Sequence, residues 1–185
     1  MEITKIYQTL EERGNPDDIE SYRPFICRSK TAWLAHDYYF WDSFIENAHW
    51  WGTKIDTDEY VICEAEASFN PSNCYDLVGN INHLKDFQNS IELFKSKYKK
   101  SSTILVPRIL AFLIEQKLFN YASRAYPIDS KSVHYDSNKI YFKQCNKSYL
   151  DLYPPIQICI INCLKVSFTT YKIVHPTHYV QDIYV

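Results

Sequence analysis

The chain has 185 residues, 46% of them hydrophobic, enough for one ordinary domain (residues 1–185) with a sizeable core. A formal charge of -2 excludes a global basic field for collecting nucleic acid, and only three glycines, with neither a dinucleotide fingerprint nor a P-loop pattern, argue against a glycine-rich phosphate cradle. The charged start lacks the apolar stretch of a signal peptide, and no run reaches the roughly 18 apolar residues of a membrane span. Six cysteines stand at positions 27, 63, 74, 145, 159 and 163 without a CxxC pair. Cys159 and Cys163 flank an apolar run, where cysteine usually acts as a small buried hydrophobe. A cytoplasmic protein with free thiols and no metal site is expected.

In chain order, Glu2 to Leu10 is a strand candidate centred on Ile6 and Tyr7. Gly14-Asn15-Pro16-Asp17-Asp18 marks a turn, with a helical turn starting near Asp17 or Asp18. Phe25 to Trp33 reads as irregular. Trp33 to Gly52 holds eight aromatic residues in twenty. Tyr38 to Trp41 reads as a strand. A helix then follows, with Asp42 as its cap and Phe44, Ala48 and Trp51 on one face beside Ile45 and His49. Gly52 is expected to supply the positive-φ stop.

Thr53 to Asp58 is a polar loop, and Glu59 to Ser68 alternates as a strand, with Tyr60, Ile62, Glu64 and Glu66 on one face. After the turn at Asn70–Asn73, Cys74 to Val78 is short and extended. Leu84, Phe87, Ile91, Phe94 and Tyr98 set a helix over 84–98, and its lysine-rich end suits a helix C-terminus. A second helix spans 102–117, with Pro107 in its first turns. Strands are expected at 118–125 and 139–144, a polar loop with His134 between them, and a turn or short helix at 146–151. Pro154-Pro155 leads into Ile156–Ile161, the strongest buried strand, broken only by Gln157. A last strand covers 164–174, and the tail from His175 is weakly patterned. Helices and strands without a regular βαβ alternation give an α+β class.

Tyr39-Phe40-Trp41-Asp42 followed by Ala48-His49-Trp50 resembles the second motif of the ADP-ribosyltransferase-like fold, in the branch of poly-ADP-ribosyltransferases and small bacterial toxins. The resemblance implies split β-sheets around a cleft with flanking helices. It implies that Tyr39 and Trp50 sandwich the nicotinamide of NAD, with Asn47 as a polar contact beside it. Ile6-Tyr7-Gln8-Thr9 aligns with the first motif. Gln8 falls where a histidine holds the adenine-side ribose, and Thr9 where a small residue meets the nicotinamide amide; without the resemblance, Gln8 is a surface strand residue. Both glycines usual before the second motif are absent from Ala35-His36-Asp37-Tyr38, and His36 stands as a phosphate contact. The catalytic glutamate of the third motif aligns with Gln157. Glutamine can hydrogen-bond a ribose hydroxyl but brings no charge to an oxocarbenium-like state.

The function implied is NAD-dependent transfer of ADP-ribose to a protein or nucleic acid, in a bacterial toxin or phage-defence setting. The alternative is a non-catalytic NAD-binding or protein-interaction module on the same fold. Glu64 and Glu66 resemble the Glu-x-Glu pair of arginine-directed transferases but come too early in the chain, and read as a solvent-facing pair. Arg124 is a candidate phosphate or acceptor contact, ahead of Arg108 and Arg28. Cys63 with His83 or His134 is a further pairing that nothing in the spacing motivates.

Overall fold

The computed structural model describes residues 2–22, 24–29, 32–55, 59–98, 103–118, 121–126, 139–142, 148–164, 166 and 168–180. Nine strands and five helices are present among them: β1 Glu2–Glu11, α1 Pro16–Ser21, β2 Tyr38–Asp42, α2 Ile45–Gly52, β3 Tyr60–Phe69, β4 Tyr75–Asp76, α3 Ile81–Lys97, α4 Val106–Glu115, β5 Ala122–Ala125, β6 Lys139–Tyr141, β7 Tyr149–Asp151, β8 Gln157–Ile160, β9 Phe168–His175 and α5 Thr177–Val180. The class is α+β.

Seven strands form one sheet in the order β4-β5-β8-β2-β1-β3-β9, and only the β4–β5 pair is parallel. β1 and β3 are matched along their whole length, from Glu2 opposite Phe69 to Glu11 opposite Tyr60. β1 and β2 share only Ile6 opposite Asp42 and Tyr7 opposite Trp41, and part beyond that point. β2 continues along β8, with Tyr39 opposite Cys159 and Trp41 opposite Gln157.

Alternation along the strands separates the cores. One face carries Ile6, Phe40, Val61, Ala65, Ile158 and Ile160, closed by Ile19 of α1 and by Tyr171 and Ile173 of β9. On the other face, Trp41 and Tyr7 pack under α2 through Ala48, while Tyr39 and Cys159 pack under α3 and α4 through Phe94, Ile109 and Leu113. Because Tyr39 and Trp41 are two residues apart, α2 and the α3–α4 pair lie on the same face.

Several local expectations change. Asp42 is the last strand residue and caps nothing; the residue before α2 is Phe44, with no side-chain cap, and Ser43 takes the positive φ, 62°. Gly52 ends α2 without a positive φ. Its requirement is space, since a Cβ there would lie 2.4 Å from the Tyr60 ring. α2 buries its small residues Asn47, Ala48 and Gly52, and Trp51 is 44% exposed instead of on the packed face. α3 begins three residues early because Asn80 caps it, accepting from the backbone N–H of Asn82 and His83 at 3.0 and 3.2 Å. α4 starts at Val106, just ahead of Pro107. Tyr149–Asp151 is strand, not turn, because it pairs with Lys139–Tyr141 in a separate two-stranded hairpin. That hairpin exposes Ile140, Tyr141, Phe142 and Leu150. His134 lies outside the described residues.

Candidate functional site

The parting of β1 from β2 opens a pocket of about 250 Å³. Its lining includes Gln8 and Thr9 from β1, Tyr39 and Trp41 from β2, and Gln157 from β8. Trp51 of α2, with Phe25 and Trp33 from the chain between α1 and β2, completes the wall. Four sequence-selected residues therefore share one cavity: Gln8, Thr9, Tyr39 and Gln157. Their strands are neighbours in the sheet, in the order β8-β2-β1.

The polar groups around it are mostly committed to the protein. Gln8 is 4% exposed, so it is not a surface strand residue. Its Nε2 donates to the carbonyls of Phe25 at 2.8 Å and Tyr39 at 3.3 Å, and its Oε1 accepts from Phe25 N–H at 3.0 Å and the Tyr171 hydroxyl at 2.7 Å. The amide thus replaces the β1–β2 ladder where the strands part and ties the 24–29 segment to both. Thr9 Oγ1 donates to the Ala48 carbonyl at 2.9 Å, fixing α2 against β1. The Tyr39 hydroxyl accepts from Leu34 N–H at 2.6 Å and Ala35 N–H at 3.0 Å. Burial is the main cause that pushes its pKa up, so Tyr39 stays a neutral phenol. Gln157 Oε1 accepts from Trp33 Nε1 at 2.5 Å, while its amide nitrogen has no partner among the described residues.

The other selected residues lie elsewhere. Trp50 does not line the pocket. It meets Trp41 edge-on with ring centroids 6.1 Å apart, and the neighbouring Trp51 takes the position on the wall. Asn47 is fully buried behind the pocket, its Nδ2 donating to the Pro154 carbonyl at 3.1 Å and its Oδ1 left without a partner. His36 is exposed on the loop before β2 and does not line the cavity. Glu64 is 8% exposed, contrary to a solvent-facing pair; Lys5 and Lys172 hold its carboxylate at 3.1 and 3.5 Å. Burial and then that carboxylate push the Tyr7 phenol up to about 12. Arg108 and Arg28 are exposed, whereas Arg124 is clamped between Asp42 and Asp76. Cys63 is buried in the sheet core, and His83 stacks on Tyr75 with its Nδ1 accepting from Asp76 N–H at 2.9 Å.

Trp33, Trp51 and Phe25 are the wall residues the motif comparison passed over. Trp33 and Gln157 are 124 positions apart, and no local pattern links them. Chemically the pocket offers aromatic faces and one unengaged amide. Among the described residues no carboxylate and no cation lines it, so it suits a flat, neutral or electron-poor ring. Among the described residues no cluster of histidine, cysteine, aspartate and glutamate could hold a metal ion, and no helix is long and apolar enough to cross a membrane. Comparison with protein-family models, curated proteins and solved structures gives no match.

Proposed function

We propose that the aromatic pocket receives the nicotinamide end of NAD, on an ADP-ribosyltransferase-like version of the α+β fold. The observation that carries this reading is the convergence of Gln8, Thr9, Tyr39 and Gln157, from three adjacent strands, on one tryptophan-walled cavity. Pockets for whole drug-sized ligands run from roughly 300 Å³ upward. A cavity of about 250 Å³ accommodates a ring and its carboxamide, leaving the rest of the dinucleotide outside. Trp51 and Tyr39 supply π-faces, and the Gln157 amide N–H supplies a donor.

Recognition of NAD is the first reading, because none of the described lining residues is a carboxylate that could stabilise positive charge on the ribose as nicotinamide leaves. Transfer of ADP-ribose to a protein or nucleic-acid acceptor is the second. It is favoured by the unengaged Gln157 nitrogen, which can hold a ribose hydroxyl, and it would proceed by positioning alone. A cytoplasmic location and a bacterial toxin or phage-defence role belong with that second reading.

Titration with NAD, following tryptophan fluorescence and free nicotinamide together, tests both. Saturable quenching that weakens about tenfold in Trp51→Ala, the scale of one lost aromatic stack, supports recognition. Accompanying nicotinamide release that disappears in Gln157→Ala supports transfer. A flat response at millimolar NAD removes both readings and leaves the interaction-module alternative.

A further inference from the structure

A second cavity, of about 350 Å³, lies around Arg124 and shares no lining residue with the aromatic pocket. It opens near Thr4, toward the opposite end of β1 from Gln8. An ionic clamp holds its polar side. Arg124 Nε donates to Asp42 Oδ2 at 2.6 Å, and Nη1 reaches the two oxygens of Asp76 at 3.3 and 3.4 Å. Asp42 is 3% exposed, and its other oxygen accepts from Ser43 Oγ at 2.7 Å and Thr4 Oγ1 at 3.3 Å. Asp76 Oδ1 also accepts from the backbone N–H of Val78 and Gly79 at 2.8 and 3.0 Å. These groups are ordered by one another before any ligand arrives, so binding here costs little further ordering.

The groups left over define the ligand. Arg124 Nη2 has no partner among the described residues. The Asn80 and Asn70 side-chain oxygens are used, by the start of α3 and by Ser72, while their amide nitrogens have no partner among those residues. Asp76 Oδ2 keeps lone pairs beyond its one long contact. Phe69 and Pro71 add an apolar wall beside these donors and acceptors. Two carboxylates against one guanidinium disfavour a phosphate or carboxylate ligand. Both carboxylates are already paired with Arg124, so little attraction remains for an ammonium or a second guanidinium. A hydroxyl donates and accepts at once, and a ring carrying several presents a C–H face to an apolar wall.

We propose that this cavity binds a neutral polyhydroxylated ring, a sugar, held by Arg124, Asp76, Asn70 and Asn80 against Phe69. The proposal is independent of the NAD reading, since the two cavities share none of the described lining residues.

The test is an amide-resolved NMR titration of the full chain with D-ribose and with methyl β-D-glucopyranoside, each against sodium phosphate and ethylguanidinium chloride. Saturable shifts confined to Thr4, Ser43 and residues 69–80 with either sugar are expected. Arg124 is left in place, because its loss would strand Asp42. Asn80→Asp keeps an oxygen to cap α3 but deletes the amide donor, and should weaken sugar binding about tenfold, the scale of one hydrogen bond, with unchanged circular dichroism. A response to phosphate or ethylguanidinium in preference to the sugars overturns the proposal. So does equal sugar affinity in Asn80→Asp, or no shift at these residues with either sugar.

Discussion

Replacing Gln8 by leucine nearly conserves volume while deleting all four hydrogen bonds of the amide. The Tyr171 hydroxyl loses a buried acceptor at 2.7 Å, and Phe25 loses partners for both its N–H and its carbonyl. The fourth contact, to the Tyr39 carbonyl, is long at 3.3 Å and contributes least. At about 1 kcal/mol net per hydrogen bond, more where a buried group is orphaned and less where water returns, the sum is about 3 kcal/mol. Phe25 is only partly buried, so water recovers some of its loss. For a domain of this size that corresponds to a fall in Tm of roughly 6–12 °C. Urea denaturation followed by tryptophan fluorescence gives the comparison, read as a shift in midpoint at constant slope. Tyr171→Phe in the same background should couple to Gln8→Leu by about 1 kcal/mol in a double-mutant cycle. A loss below about 1 kcal/mol, or no coupling to Tyr171, would refute the view that Gln8 is the joint holding the parted strands.

Three further outcomes follow from the same geometry. Arg124→Met leaves Asp42 buried without its cation and should cost about 3 kcal/mol, the low end for a broken buried pair because Arg124 is partly exposed; Asp42→Asn added to it should recover part of the loss in urea denaturation. Gly52→Ala places a methyl 2.4 Å from the Tyr60 ring, whose hydroxyl meets His49 Nδ1 at 3.0 Å, so overpacking should outweigh the helix-propensity gain and lower stability by about 1 kcal/mol; an unchanged or raised Tm would contradict that packing. His49 and His175 face each other at 4.9 Å, and burial first, then a neighbouring histidine (His175 for His49, His178 for His175), lowers both pKa values, with Glu46 opposing at His49. The folded state therefore takes up protons later than the unfolded chain, so stability present above the ordinary value of 6.5 is lost as pH falls through it. Tm should drop less between about pH 7.5 and about pH 5.5 in His175→Gln than in the unaltered protein; equal slopes would show that the pair does not govern this range.

Much of the fold was legible because it rests on local periodicity. The alternation in Glu59–Ser68, the apolar run at 156–161 and the three-four spacing of Leu84, Phe87, Ile91 and Phe94 all mark elements that are present. What failed was decided at long range. Asp42 has the composition of a helix cap, but Arg124, 82 residues later, claims its carboxylate. Gly52 has the composition of a helix stop, but Tyr60 needs its missing side chain. Tyr149–Asp151 is too short for its alternation to register until Lys139–Tyr141 pairs with it. The site divides along the same line. The strand residues Thr9, Tyr39 and Gln157 share one sheet face by parity, and Gln8, on the other face, joins them because the pocket opens at the gap where β1 parts from β2. The helix residues Asn47 and Trp50 miss it, because the entry of α2 at Ile45 sets a rotation that spacing alone does not give.

The two-stranded hairpin β6–β7 has a consequence for how the domain opens. Among the described residues it pairs with no third strand, and Ile140, Phe142 and Leu150 keep about half or more of their surface in water at 55, 71 and 53%. A lone hairpin is marginal in water, so the amides of Ile140 and Leu150 are set to exchange with solvent through local opening, at far lower free energy than those of Ile62 or Ile158 in the main sheet. Native-state hydrogen exchange would then divide the described strands into two kinetic classes, with β1, β2, β3 and β8 releasing their protons only on global unfolding. Among the described strands, a protease acting on the native protein would open β6 and β7 before those that line the aromatic pocket.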